Sequence, residues 1–232
     1  MKSEILSENT QSKFRYRFYR EHKYVSYMLS ELERLIAKTD FRNMPQVSEV
    51  LIQFDGIEAL MKGHAQWEES AIHELLRRKK LEIQHGIEVD HRNHDVKFKE
   101  FRELLDAIMA NVDEQEQLNL GYQFYIGYRK FIGDNLIHLH DEETIIMPEL
   151  QKQYSDEELR NVEFNTYDKM NPEQMVQMME VLFPHMNSHD REFFLTDIKD
   201  SQPDKFSEAW ESISHKIDSD ERSILIKKLQ IY

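Results

Sequence analysis

One phrase occurs twice in this chain. His64-Ala-Gln-Trp-Glu68-Glu69 and His138-Leu-His-Asp-Glu142-Glu143 lie 74 residues apart, and each is followed by an isoleucine, Ile72 and Ile146. On a helix, residues four apart stack on one face, so each copy aims an imidazole nitrogen and a carboxylate at one point. With 11 His and 44 Asp+Glu among 232 residues, about two His-x-x-x-acid pairs are expected by chance. Three occur: His64 with Glu68, His91 with Asp95, and His138 with Glu142. The context exceeds chance. The same offset superposes Ile52 on Ile126, Phe54 on Tyr128, Ile57 on Phe131 and Leu76 on Leu150, so the phrase belongs to an internal repeat of a long helix.

Six Gly and five Pro, in a chain that is 40% hydrophobic, argue for long helices with few sharp turns and hence an all-α fold with a substantial core. A formal charge of −14 repels polyphosphate, which excludes nucleic acid as a partner. The basic run Arg77-Arg78-Lys79-Lys80 reads as cations set against a helix C-terminus. There is no cysteine, so disulfides, thiolate metal sites and cysteine nucleophiles are excluded, and any metal must be held by nitrogen and oxygen. The first residues lack an apolar signal core, and no stretch approaches the roughly 20 apolar residues of a membrane span. The expectation is a soluble, cytoplasmic protein with no membrane partner.

The apolar periodicity predicts four long helices. The first covers residues 12–38, with Phe18, Tyr19, His22, Val25, Leu29, Leu32 and Ile36 on one stripe. The second covers 46–80 and carries His64 and Glu68. The third covers 87–112, where His91 followed by Phe98 and Phe101 repeats the spacing of His22 followed by Leu29 and Leu32. The fourth covers 114–153 and carries His138 and Glu142, with Pro148 expected to kink it or end its regular part near Met147. Short connections favour an up-down-up-down four-helix bundle over residues 12–154, preceded by a tail of residues 1–11.

After Tyr154 the pattern changes to shorter helices with start signals at Ser155, Asn171, Asn187, Ser201 and Asp218. This extension, 155–232, carries apolar residues such as Phe183, Phe194, Phe206, Trp210 and Leu229. They are expected to pack on the bundle or, as a homodimer contact, on a second subunit. The methionines of 170–179 suggest an adaptable packing surface.

In a bundle, ligands from facing helices project into the core, which collects His22, His64, Glu68, His91, His138 and Glu142. Two buried carboxylates near each other are costly unless cations compensate them. Imidazole and carboxylate without sulfur suit iron or manganese, with zinc a weaker fit. Four His and two bridging-capable Glu make the expected site dinuclear, with coordination positions left open to small molecules. Glu69 and Glu143 point about 100° away from the ligand face, the place of a helix-flank residue or of a group supporting the ligands from behind, and stay outside the ligand set. His73 and His140 are read as surface or interhelix residues. His185 and His189 are read as structural or solvent-facing, because Asn187 between them caps a helix. The aromatics Phe14, Tyr16, Phe18 and Tyr19, and Tyr122, Phe124, Tyr125 and Tyr128, are read as core packing.

The order His, His-x-x-x-Glu, His, His-x-x-x-Glu on four successive helices resembles the hemerythrin-like (HHE) family of helical bundles. It falls on His22, His64 and Glu68, His91, and His138 and Glu142. The resemblance implies two non-heme iron ions with a bridging oxo or hydroxo group, Glu68 and Glu142 bridging them, and binding or sensing of oxygen, peroxide or nitric oxide. Two alternatives stay open: a diiron oxidase or peroxidase acting on an organic reductant, and an iron-responsive interaction protein. The chain departs from the oxygen carriers in its third helix, where Asp95 replaces a histidine four residues after His91. His94 is then either a further ligand or a hydrogen-bond donor beside the site. The fourth helix also ends its motif in Glu rather than in a longer-spaced aspartate. A ferritin-like arrangement built on Glu88-x-x-His91 has no second copy in the fourth helix.

Overall fold

A computed structural model of the protein describes residues 15–83 and 85–231, and the expected tail of residues 1–11 lies outside them. The bundle consists of α1 (His22–Lys38), α2 (Met44–Trp67) continued by α3 (His73–Arg78), α4 (His85–Ala110), and α5 (Glu114–Asp141) continued by α6 (Met147–Gln153). The start signals act as their chemistry dictates. Asn43 accepts the Gln46 N–H ahead of α2, and Asp113 accepts the N–H groups of Gln115 and Glu116 ahead of α5. Helix α1 packs beside α2 and α5, and α4 beside α5 and α2, so helices joined by short connections are neighbours in space.

Val25, Leu29, Leu32, Phe54, Phe98, Phe101, Phe124, Tyr128 and Phe131 fill one end of the bundle. Its rings meet edge to face, as Phe101 and Phe124 do at 5.5 Å. Tyr128 and Phe124 are core residues as expected, whereas Tyr122 is exposed and Phe14 lies outside the described residues.

Two departures from the predicted helices matter. The first helix begins at His22 instead of near residue 12, and residues 15–19 run as a non-helical strap with Tyr19 in the left-handed region at φ 69°. The strap is held down on both flanks. Tyr16, Phe18 and Tyr19 are buried against Ile72, Leu76, Ile146 and Leu150, while Arg15 bonds the Asp156 carboxylate at 2.7 Å and the Gln151 carbonyl at 2.9 Å. A continued helix would carry these side chains past the end of the bundle.

The second departure is a pair of wide turns. At Glu68–Ile72 and Glu142–Ile146 the helix loosens to π geometry, with the His73 N–H reaching the Glu68 carbonyl and the Met147 N–H reaching the Glu142 carbonyl. Each turn holds one extra residue, so everything after it rotates by roughly 100° relative to an uninterrupted helix. The irregularity therefore precedes Pro148, which sits in the first turn of α6, where its missing N–H costs least.

The chain continues with α7 (Asp156–Lys169), α8 (Pro172–Leu182), α9 (Ser188–Ser201), α10 (Pro203–Ile213) and α11 (Ser219–Leu229). Ser155 and Asn171 form full capping boxes, and Asn187 and Asp218 cap as expected. Ser201 does not, because Gln202 precedes α10 and offers no side-chain bond. Of the apolar residues of these helices, Leu159 packs on the bundle, buried with Tyr16, Ile72, Ile146 and Leu150. Met175, Met179, Phe183, Phe194, Phe206, Trp210 and Leu229 bury one another in a core of their own. Their junction with the bundle includes a polar network. Arg20 bonds Glu163 at 2.6 Å and Asp197 at 2.9 Å, Tyr16 donates to Asp197 at 3.0 Å, and Trp67 Nε1 donates to Thr166 at 3.1 Å.

Gly121 in α5 is set against Phe41, and a Cβ there would stand 2.2 Å from the ring. The nearest ring and Cβ atoms of Phe41 are its least movable ones. Gly121→Ala should therefore destabilise the protein by about 1–3 kcal/mol, although Ala is the better helix former by about 1 kcal/mol. Urea unfolding checks the sign.

Candidate metal centre

The wide turns place the centre. Glu68 and Glu142 open them, so both carboxylates project into the bundle at one level, and each is fully buried. His22 from α1, His64 from α2, His91 from α4 and His138 from α5 converge on the carboxylates, each no more than 7% exposed. All six predicted residues meet at this point.

They form two groups that share both glutamates. His22, His64, Glu68 and Glu142 make one, and Glu68, His91, His138 and Glu142 the other. In each group the candidate ligand atoms lie within 4.8 Å of one another. Glu68 Oε1 stands 3.6 Å from His22 Nε2 and 3.3 Å from His64 Nε2, while Oε2 stands 3.4 Å from His91 Nε2. Glu142 mirrors this, with Oε2 at 3.4 Å from His22 and Oε1 at 3.3 Å from His138. None of the four carboxylate oxygens has a hydrogen-bond partner, nor do the Nε2 atoms of His22 and His64. His91 and His138 face each other nitrogen to nitrogen at 3.1 Å, a contact that needs a proton or a cation between them. Buried anions without partners cost several kcal/mol each, so the donor set fits cations.

The far nitrogens explain the ring orientations. His22 Nδ1 donates to Glu143 at 3.0 Å, and His91 Nδ1 donates to Glu69 at 3.0 Å. A carboxylate only accepts, so the proton sits on Nδ1, and in a neutral imidazole the lone pair of Nε2 points at the centre. Glu21 and Asp90 stand near the remaining pair, 3.7 Å from His64 Nδ1 and 3.5 Å from His138 Nδ1. Every histidine of the centre thus has a carboxylate near its far side, and at His22 and His91 the hydrogen bond is made, the pattern that fixes tautomer and raises ligand basicity. Sequence reasoning reached Glu69 and Glu143 as groups beside the ligands and left Glu21 and Asp90 out. A signal was present, since Glu69 and Glu143 repeat at the 74-residue offset, and Glu21 and Asp90 each precede a histidine at an offset of 69.

Charges in the metal-free centre are balanced by protons. Burial lowers the pKa of His22 and His91, but their carboxylate neighbours outweigh it and raise both to about 10. Burial and the charge on His22 hold His64 down to about 3, and burial does the same for His138. Burial and then Glu142 raise Glu68 to about 7, whereas the imidazoles of His91, His138 and His22 outweigh burial at Glu142 and lower it.

His94 does not join either group. It is 8% exposed, edge-on to His138 at 5.0 Å between ring centres, and burial lowers its pKa to about 4. His73 is the interhelix residue of the two readings, because the extra residue of the first wide turn rotates it inward. It is buried and stacks on His91 at 5.9 Å with ring planes 9° apart. Glu88 turns away from the centre to Arg77, at 2.6 Å, and to His73, at 3.4 Å, which removes the ferritin-like arrangement. His140 and His189 are exposed, and His185 lies against Tyr24 and Tyr27.

A helical bundle that gathers four imidazoles around two shared carboxylates is a cation-binding bundle by its chemistry. The chain matches the hemerythrin HHE cation binding domain over residues 14–150, more than half its length, and belongs to that family. Comparisons with curated proteins and with solved structures returned no match. No described helix is long and apolar enough to cross a membrane.

Two outcomes follow for metal affinity measured against a competing chelator. Glu69→Gln and Glu143→Gln should each weaken binding by about 10–100-fold. Because His22 and His91 hold protons up to about pH 10 in the metal-free chain, a bound cation must displace them. Apparent affinity should therefore rise with pH between 6 and 8, on the order of tenfold per unit for each proton displaced.

Proposed function

We propose that the chain is a non-heme diiron protein that binds or senses oxygen, peroxide or nitric oxide. His22 and His64 would hold one ion and His91 and His138 the other, with Glu68 and Glu142 shared between them. The observation that carries this reading is the set of four buried carboxylate oxygens without protein partners, each glutamate facing imidazoles of both groups. Donors that are all nitrogen or oxygen suit iron better than a structural zinc, which usually closes a four-ligand shell. An iron pair so held supplies redox chemistry and open coordination positions.

The residues of the chain do the rest. Glu143 and Glu69 hold the Nδ1 protons of His22 and His91, so the facing nitrogens stay available as donors. Burial of Glu68 and Glu142 excludes bulk water and makes cation binding the way their charge is met.

Anaerobic reconstitution with ferrous iron tests the reading. The wild type should take up two iron ions per chain and develop charge-transfer absorption in air, and a His64→Ala/His138→Ala double variant should lose both. Equal iron uptake by the two proteins contradicts the proposal. Sustained peroxide consumption with an added reductant would move the assignment to a diiron peroxidase, whereas a stable reversible adduct supports binding or sensing.

A further inference from the structure

The two halves of the centre repeat closely, but their surroundings do not. On the His22 side, the ring is covered by Tyr19, stacked at 4.6 Å, and the next turn of α1 presents Val25, which is fully buried. At the 69-residue offset that carries His22 onto His91, Val25 falls on His94. At the 74-residue offset of the other helix pair, His73 falls on Met147. One half is thus closed by a phenol ring and apolar groups, while the other is flanked by two further imidazoles.

The second half is also the one that cavities reach. A cavity of about 400 Å³ between α2 and α4 is lined by Met61, Ala65, Glu69, His91, His94 and Phe98, among others. A second, of about 460 Å³ between α4 and α5, reaches His94, Phe131 and His138. His94 is the histidine common to both. No hydrogen bond or ion pair to it is seen among the described residues, and its ring nitrogens are not sealed off as those of His73 are, so they open onto these cavities. An imidazole nitrogen that opens onto a cavity is free to donate to, or accept from, a molecule that enters it.

We propose that His94 is the recognition group for a small exogenous ligand that enters between α2 and α4 and binds at the ion held by His91 and His138. The ion held by His22 and His64 stays closed behind Tyr19 and Val25. The ligand class is a hydrogen-bond acceptor of a few heavy atoms, a monoanion or a polar diatomic, to which the His94 ring donates an N–H. His94 acts here as a specificity residue and not as a metal ligand. The inference rests on the diiron reading.

The test uses the full chain loaded with ferric iron and azide as the probe, with iron counted separately from azide affinity. His94→Ala should keep two iron ions per chain and bind azide about 10–100-fold more weakly, the loss expected for a hydrogen bond to a charged group. His94→Gln, which keeps an N–H, should recover most of that loss. Ala65→Phe, which narrows the first cavity, should slow azide association while leaving iron content unchanged. Unchanged azide affinity in His94→Ala overturns the proposal, as does loss of one iron, which would make His94 a ligand. An unchanged association rate in Ala65→Phe overturns the route. Failure of the wild type to hold iron at all would instead remove the diiron reading beneath it.

Discussion

Two carboxylates placed side by side in the interior of a helical bundle set the terms for the rest of this molecule. Glu68 and Glu142 are fully buried, and none of their oxygens finds a hydrogen-bond donor. Such a pair is tolerated only where positive charge is supplied. In the metal-free chain, protons on His22 and His91 supply it; metal cations meet the same need with fixed geometry. The wide turns at Glu68–Ile72 and Glu142–Ile146 fit this requirement, because helices at functional sites commonly loosen this way. Behind the histidines, Glu21, Glu69, Asp90 and Glu143 add a ring of outer carboxylates. This acidic shell favours the cationic state of the centre and accounts for part of the −14 charge.

The centre is also tied to the C-terminal helices. Arg20, two residues before His22, bridges Glu163 of α7 and Asp197 of α9, and Arg160 completes the pairing of the fully buried Asp197 at 2.6 Å. Tyr19, next to Arg20 in the chain, stacks on His22 at 4.6 Å, in a backbone conformation that a non-glycine residue adopts at a cost of order 1–3 kcal/mol. The segment that delivers the first histidine is therefore set by contacts from both units. The later helices, with a core of their own, hold the segment that leads into the first histidine.

Much of this was legible in the sequence because it follows from helical periodicity. The apolar stripe from Val25 to Ile36, the four long helices and the convergence of the six His and Glu residues all rest on a face repeating every three to four residues. The caps at Ser155, Asn171, Asn187 and Asp218 were legible for an equally local reason. What escaped depends on non-local packing or on broken periodicity. Residues 15–19 carry a helical pattern, yet Tyr16 and Phe18 gain more burial as a strap across the bundle end. His73 looked displaced from the ligand face because the reading assumed an unbroken helix, and one extra residue at Glu68–Ile72 rotates it onto His91. Glu69 and Glu143 were placed about 100° from the centre, which is correct for their backbone, but their side chains reach neighbouring helices. Sequence spacing within one helix carries no information about such a crossing.

The central claim is that Glu68 and Glu142 are shared by two iron ions. Anomalous scattering at the iron edge from crystals of the iron-loaded protein tests it most directly. The account predicts two peaks, one between His22 and His64 and one between His91 and His138, with both glutamates contacting each. A single peak, or two peaks away from these carboxylates, would contradict it.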